Sequence, residues 1–128
     1  MSSPAMTAGM LAWQLVIDSG HADQAPKAAS NLGMLRADQG DVDGAAAAYQ
    51  LAIDSGHADE TPRAAFNLGL LREQQGDVDS AAAAYQLAID SGHAEHAPRA
   101  AFQLGLLREK QGERRRRGSP NHDADVGT

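Results

Sequence analysis

Apolar and small residues recur along this chain at helical spacing, and the whole pattern returns 36 residues later. Within DVDGAAAAYQLAIDSG at 41–56, Ala48, Leu51 and Ala52 share one face, while Ala45, Tyr49, Ala52 and Ile53 form a neighbouring stripe. In the other kind of segment, Phe66, Leu68 and Leu71 recur at the same spacing after Pro62, a residue tolerated in a first helical turn because its missing N–H would be unpaired there. The punctuation agrees with the periodicity. Asp41 and Asp77 are good N-caps, and Asp43 and Asp79 add negative charge to the turns that follow. Asp23, Asp59 and Glu95 are placed to cap the other helices or complement their dipoles. Gly40, Gly76 and Gly112 are expected to end one kind of helix in a left-handed conformation; Gly56 and Gly92 are expected to stop the other. No alternation of β-branched residues suggests a strand. The pattern predicts helices near 5–18, 23–39, 41–54, 59–75, 77–90 and 95–113.

The repetition is close to literal. WQLVIDSGHAD at 13–23 returns as YQLAIDSGHAD at 49–59 and YQLAIDSGHAE at 85–95. NLGMLRADQGDVDGAAAAYQ at 31–50 returns as NLGLLREQQGDVDSAAAAYQ at 67–86. The units divide as a half-unit at 5–22, full units at 23–58 and 59–94, and a half-unit at 95–113. Each full unit is a pair of helices. After Gly112 the periodicity stops, and ERRRRGSPNHDADVGT predicts a disordered tail over 114–128, first basic and then acidic.

Composition narrows the picture. Much of the 42% hydrophobic content is alanine, and aromatics supply only 4%. Thin helix-on-helix contacts suit such a chain better than one thick core, because alanine lets helices approach closely at no side-chain entropy cost. There is no cysteine, which removes disulfide and thiolate chemistry and fits a reducing, cytoplasmic setting. The N-terminal MSSPAMTAGM has neither the basic flank nor the apolar run of a signal peptide. No stretch is apolar enough to suggest a membrane span. Net charge is −6, and only seven of the eleven bases precede Arg114, against fifteen of the seventeen acids. An acidic body argues against nucleic acid as a partner, and the run Arg114–Arg117 is short enough to belong to a solvated segment.

Catalytic signatures are missing: no G-x-S-x-G, no phosphate-binding glycine loop, no C-x-x-C and no H-E-x-x-H. His21, His57 and His93 recur once per unit, too far apart to share a metal through bonds of about 2 Å. They are expected to be linker residues that pack or bond locally. His93 and His96 are three apart, with no third ligand evident. No catalytic, cofactor or metal residue is therefore expected.

The Leu-Gly pair, the Gly-Asp turn and the small, aromatic, small positions of the second helix resemble the tetratricopeptide repeat, with a likeness to Sel1-like repeats in the longer unit and the G-H-A-D linker. The residues that carry it are Leu68, Gly69, Gly76, Asp77, Ala81, Tyr85 and Ala88. Leu32, Gly33, Gly40, Asp41, Ala45, Tyr49 and Ala52 match in the preceding unit, and Leu104, Gly105 and Gly112 in the last. The resemblance spans roughly 9–113 and departs from the family in its period, in alanine at 29, 65 and 101 in place of a tryptophan, and in Arg36, Arg72 and Arg108 in place of a tyrosine. It implies an all-α solenoid, a superhelix of antiparallel pairs with about six helices, and a non-catalytic module that binds a protein or peptide. It also implies that the first helix of each unit lines a concave groove. The corresponding stripe reads Lys27, Ser30, Met34; Arg63, Phe66, Leu70, Glu73; Arg99, Phe102, Leu106. Three cations beside aromatics and aliphatics suit a peptide carrying carboxylates.

The two ends carry a second expectation. Terminal units of a solenoid normally have a polar outer face. Here the last helix keeps Phe102, Leu104, Leu106 and Leu107 from its internal counterpart, and the first carries Met10, Leu11, Trp13 and Val16. Self-association through Met10, Trp13, Leu104 and Leu107 is the expected result. A closed two-fold dimer is the arrangement this reading favours.

Overall fold

The structure, a computed structural model, describes residues 7–118. It consists of six α-helices: α1 (Ala8–Ser19), α2 (Gln24–Asp38), α3 (Val42–Asp54), α4 (Glu60–Gln74), α5 (Val78–Asp90) and α6 (His96–Gly118). Each packs against the next in antiparallel fashion. In addition, α2 touches α4 and α4 touches α6, whereas α1, α3 and α5 do not touch one another. The array therefore curves, with α2, α4 and α6 as its inner layer.

Local chemistry explains the element boundaries. Asp41 accepts a hydrogen bond from the Gly44 amide (3.0 Å), and Asp77 from the Ser80 amide (3.2 Å), so both are side-chain N-caps. Gly40 and Gly76, both at φ 78°, make the turns before these helices in a backbone region that other residues enter only under strain.

Gly112 does not end its helix. α6 runs on through Arg114–Arg117 to Gly118, so the tail expected from residue 114 is helical as far as 118. The reason lies one residue further on. Gly40 and Gly76 precede a capping aspartate, but Gly112 precedes Glu113, a good helix former and a poor cap. Arg115, Arg116 and Arg117 then sit in the last turn, where positive charge complements the helix dipole. The remainder of the expected tail, 119–128, lies outside the described residues.

The core is thin and alanine-rich. Its central feature is a tyrosine laid against a glycine. A Cβ built on Gly33 would stand 2.6 Å from two ring carbons of Tyr49, and one on Gly69 would overlap the ring of Tyr85 in the same way. The missing side chain is what lets the two helices of a unit close on each other. Tyr85 is fully buried, stacks obliquely on Phe66 with centroids 6.0 Å apart, and donates its hydroxyl to Glu73 Oε1 at 2.7 Å. Burial, and then the bond to a carboxylate, raise its pKa above the usual tyrosine value.

The histidines reach further than local bonding. Nδ1 of His57 accepts from the Asp59 and Glu60 amides (3.2 and 3.1 Å), and so caps α4, a role the sequence suggested for Asp59. Asp23 and Asp59 themselves make no side-chain cap. Nε2 of His57 meets Asp23 Oδ1 at 2.8 Å, one full unit back, and His93 meets Asp59 Oδ1 at 3.1 Å. With Nδ1 accepting two N–H groups, the proton sits on Nε2 and is donated to the aspartate. The result is a ladder of His–Asp rungs joining successive linkers. The bond from His57, and then the charge of Lys27, hold Asp23 below the usual carboxylate pKa. A depressed carboxylate contributes stability above its unfolded-state pKa of 3.8 and loses it as pH falls through the lower folded value. His57→Ala removes a helix cap and a rung together, and is expected to lower stability by about 1–2 kcal/mol. His57→Asn keeps an acceptor for the cap and should retain part of that, which urea denaturation of the two variants checks. A change within error for His57→Ala would refute the rung.

Candidate protein-binding groove

The inner layer brings residues of successive units together. Arg63 donates from Nη1 to Glu60 Oε1 at 3.0 Å, and its Nη2 lies 3.4 Å from Met34 Sδ of the preceding unit. Arg99 pairs with Glu95 at 3.5 Å, and its guanidinium carbon lies 4.7 Å above the centre of the Phe66 ring. Each arginine thus leans back over an apolar side chain one unit earlier. Lys27 pairs with Asp23 at 3.5 Å, with both groups half exposed. All three cations have an acid on their own helix or its cap; the Lys27–Asp23 and Arg99–Glu95 pairs are exposed and contribute little, whereas Arg63 neutralises the buried Glu60.

The remaining stripe residues separate by accessibility. Met34, Phe102 and Leu106 are exposed, and Leu70 and Glu73 are partly covered. Two positions are not available to a ligand. Ser30 is fully buried, because a side chain this small sinks beneath its neighbours. Phe66 is only 6% exposed, since Tyr85 packs against it and Arg99 covers it. Phe102, at the same place in the last unit, is 67% exposed. At the ends, Met10 is buried with Leu32 and Ala48, and Trp13 packs partly against that cluster. Leu107 is 3% exposed and Leu104 is partly buried, both against the main core. Of the four residues expected to drive self-association, Met10 and Leu107 are therefore committed inside the chain.

Three shallow concavities follow the inner layer. One of about 400 Å³ is lined by Phe66, Pro98, Arg99, Phe102 and Gln103. A second, about 240 Å³, is lined by Leu70, Glu73, Gln74 and Gln103. A third, about 320 Å³, lies among Trp13, Asn31, Met34, Leu35 and Asp38. The amides at 31 and 103 were missed in the stripe. They occupy one position of the repeat, with Asn67 between them, and all three are partly exposed. The signal was available: a carboxamide recurs in a run that is otherwise alanine, leucine and glycine. A carboxamide both donates and accepts, so this column suits a peptide backbone.

Among the described residues, no three His, Cys, Asp or Glu side chains gather as a metal site. His93 and His96 stack at 4.8 Å, and burial lowers the pKa of His96. None of the described helices is long and apolar enough to cross a membrane.

Stacked antiparallel helix pairs with an accessible inner layer define an α-solenoid, a class of protein that presents surface through repetition. A model of the tetratricopeptide repeat matches residues 16–60 and again 30–95, together more than half of the chain. The chain belongs to the tetratricopeptide repeat family. Repeats of this family generally mediate protein–protein interactions, and its members are typically non-catalytic scaffolds. No curated protein matches the chain.

Proposed function

We propose that the chain is a non-catalytic interaction module that holds an acidic peptide, extended or helical, along the inner face of α2, α4 and α6. The observation that supports this most is the concavity at Phe66, Arg99, Phe102 and Gln103. It combines an exposed aromatic ring, a guanidinium and a carboxamide within one peptide side chain's reach. An aromatic or aliphatic side chain fits against Phe102, a neighbouring carboxylate pairs with Arg99, and Gln103 meets the backbone. Lys27 and Arg63 extend the positive column toward α2. Arg99 is already ordered over Phe66, which reduces the conformational entropy lost when a carboxylate binds.

Display selection of random peptides on the full chain tests the reading. Enriched sequences should combine Asp or Glu with an aromatic or aliphatic anchor. Their affinity, measured by fluorescence anisotropy, should fall about tenfold or more with Arg99→Glu or Phe102→Ala, both exposed positions. It should also weaken with salt. Arg63 is the poorer test site, because it neutralises Glu60, which is 6% exposed, and its reversal would disturb the fold. Selected peptides that bind Arg99→Glu and Phe102→Ala as well as the parent would overturn the groove.

A further inference from the structure

We infer that the two ends of this chain are complementary halves of one interface, so that α1 of one molecule docks on α6 of another and the superhelix continues head to tail. The template is the contact between α4 and α5 inside the chain. There Ala65, Phe66 and Gly69 are buried, with Tyr85 lying over Gly69 and against Phe66. The same positions on α6 are Ala101, Phe102 and Gly105, and all three are exposed. A Cβ on Gly105 would meet nothing within 4 Å, so the notch that receives a tyrosine in the two preceding units is open here.

The other half stands at the opposite end. Shifted by 36, Tyr85 and Tyr49 correspond to Trp13, and Ala45 and Ala48 correspond to Gly9 and Ala12. In α3 those positions are buried, whereas Gly9 and Ala12 are exposed and Trp13 is only partly covered. An aromatic residue flanked by small ones is thus presented at one end, and a glycine notch beside a phenylalanine at the other. The polar detail is complementary too. Tyr85 donates to Glu73, whose counterpart on α6 is the exposed Glu109, and the indole N–H of Trp13 is a donor in the tyrosine's place.

Residues 119–128 read SPNHDADVGT and contain one large aliphatic, so that segment has no stripe to fill the notch. A two-fold pairing of two α6 faces would bring no second-type helix to either notch. Unlike that pairing, a heterologous contact leaves one end free at every step, so it forms open chains rather than a closed dimer. A single helix-on-helix contact falls below the roughly 1,200 Å² of a stable interface, so the expected Kd is on the order of 100 µM.

Sedimentation with paired blocked variants tests this. Phe102→Glu with Gly105→Leu blocks the α6 face, and Gly9→Glu with Ala12→Glu blocks the α1 face. All four positions are exposed, and circular dichroism confirms that each variant keeps the parent helicity. The parent's mass should rise with concentration beyond a dimer up to about 1 mM, several times the expected Kd. Each blocked variant alone should stay monomeric, and an equimolar mixture of the two should form a heterodimer and nothing larger. The inference is overturned by a monomeric parent across that range, by a mixture that stays monomeric, or by either blocked variant associating with itself. Self-association of the α1-blocked variant would indicate two-fold pairing of α6 faces.

Discussion

Leucine at Gly69 should destabilise the protein by about 3 kcal/mol or more, whereas leucine at Gly105 should stabilise the monomer by about 0.5–1 kcal/mol. The two glycines occupy the same place in the repeat and lie in nearly identical sequence, AAFNLGLLRE and AAFQLGLLRE. What differs is the helix on the other side. At Gly69 even a Cβ would overlap the Tyr85 ring, which is 0% exposed and has nowhere to turn. The remaining leucine atoms would have to push α5 away from α4, at the upper end of the usual overpacking penalty. At Gly105 the space is open, so only the better helix propensity of leucine counts. Urea denaturation at low micromolar concentration, where monomers dominate, measures both. A Gly69→Leu protein as stable as the parent would mean that α5 does not close on α4 at that glycine.

Tyr85→Ala should cost about 3–5 kcal/mol, the range for removing a large buried ring. Tyr85→Phe keeps the ring and loses the bond to Glu73. Because Glu73 is partly exposed and water can replace the hydroxyl, the expected loss is about 1–2 kcal/mol. The two predictions are linked by the same contact. With Tyr85→Ala in place, leucine at Gly69 grows into the space the ring has left. The double variant should therefore be more stable than the sum of the single effects by at least about 1 kcal/mol. Strict additivity would show that glycine and tyrosine do not share that space.

Much of the fold was legible because the repeat writes it twice. Asp41 and Asp77 cap their helices, and helix ends fall within a few residues of their expected places except where α6 runs on. That exception turns on one position, since Q-G before Asp stops a helix and Q-G before Glu does not. The groove was harder to read, for a reason that Phe66 and Phe102 make plain. Both follow the letters PRAA, yet one is buried and the other is the most accessible aromatic in the groove. Burial in a solenoid is conferred by the helices that follow, here Tyr85 of α5 and Arg99 of α6 over Phe66, and they leave no mark on the local pattern. Ser30 illustrates the converse: it shares the stripe position, but its size lets it disappear. The reach of His57 back to Asp23 was likewise invisible, because spacing shows that histidines recur and not that one linker lies beside the next.

The His–Asp rungs also have a mechanical consequence. All the G-H linkers lie at one end of the helices, and all the Q-G-D turns lie at the other. Rungs tie His57 to Asp23 and His93 to Asp59 along the first edge. Along the second, the polar contact between units among the described residues is an ion pair of 3.8 Å between Lys110 and Glu73. One edge is stitched and the other is nearly free, so the array's compliance is uneven. Its units are expected to part first along the Q-G-D edge, with the histidine edge as the hinge. A bulky occupant of the inner face would accordingly be accommodated by the parting of successive units along the edge that carries Gly40 and Gly76, with the linkers holding their spacing.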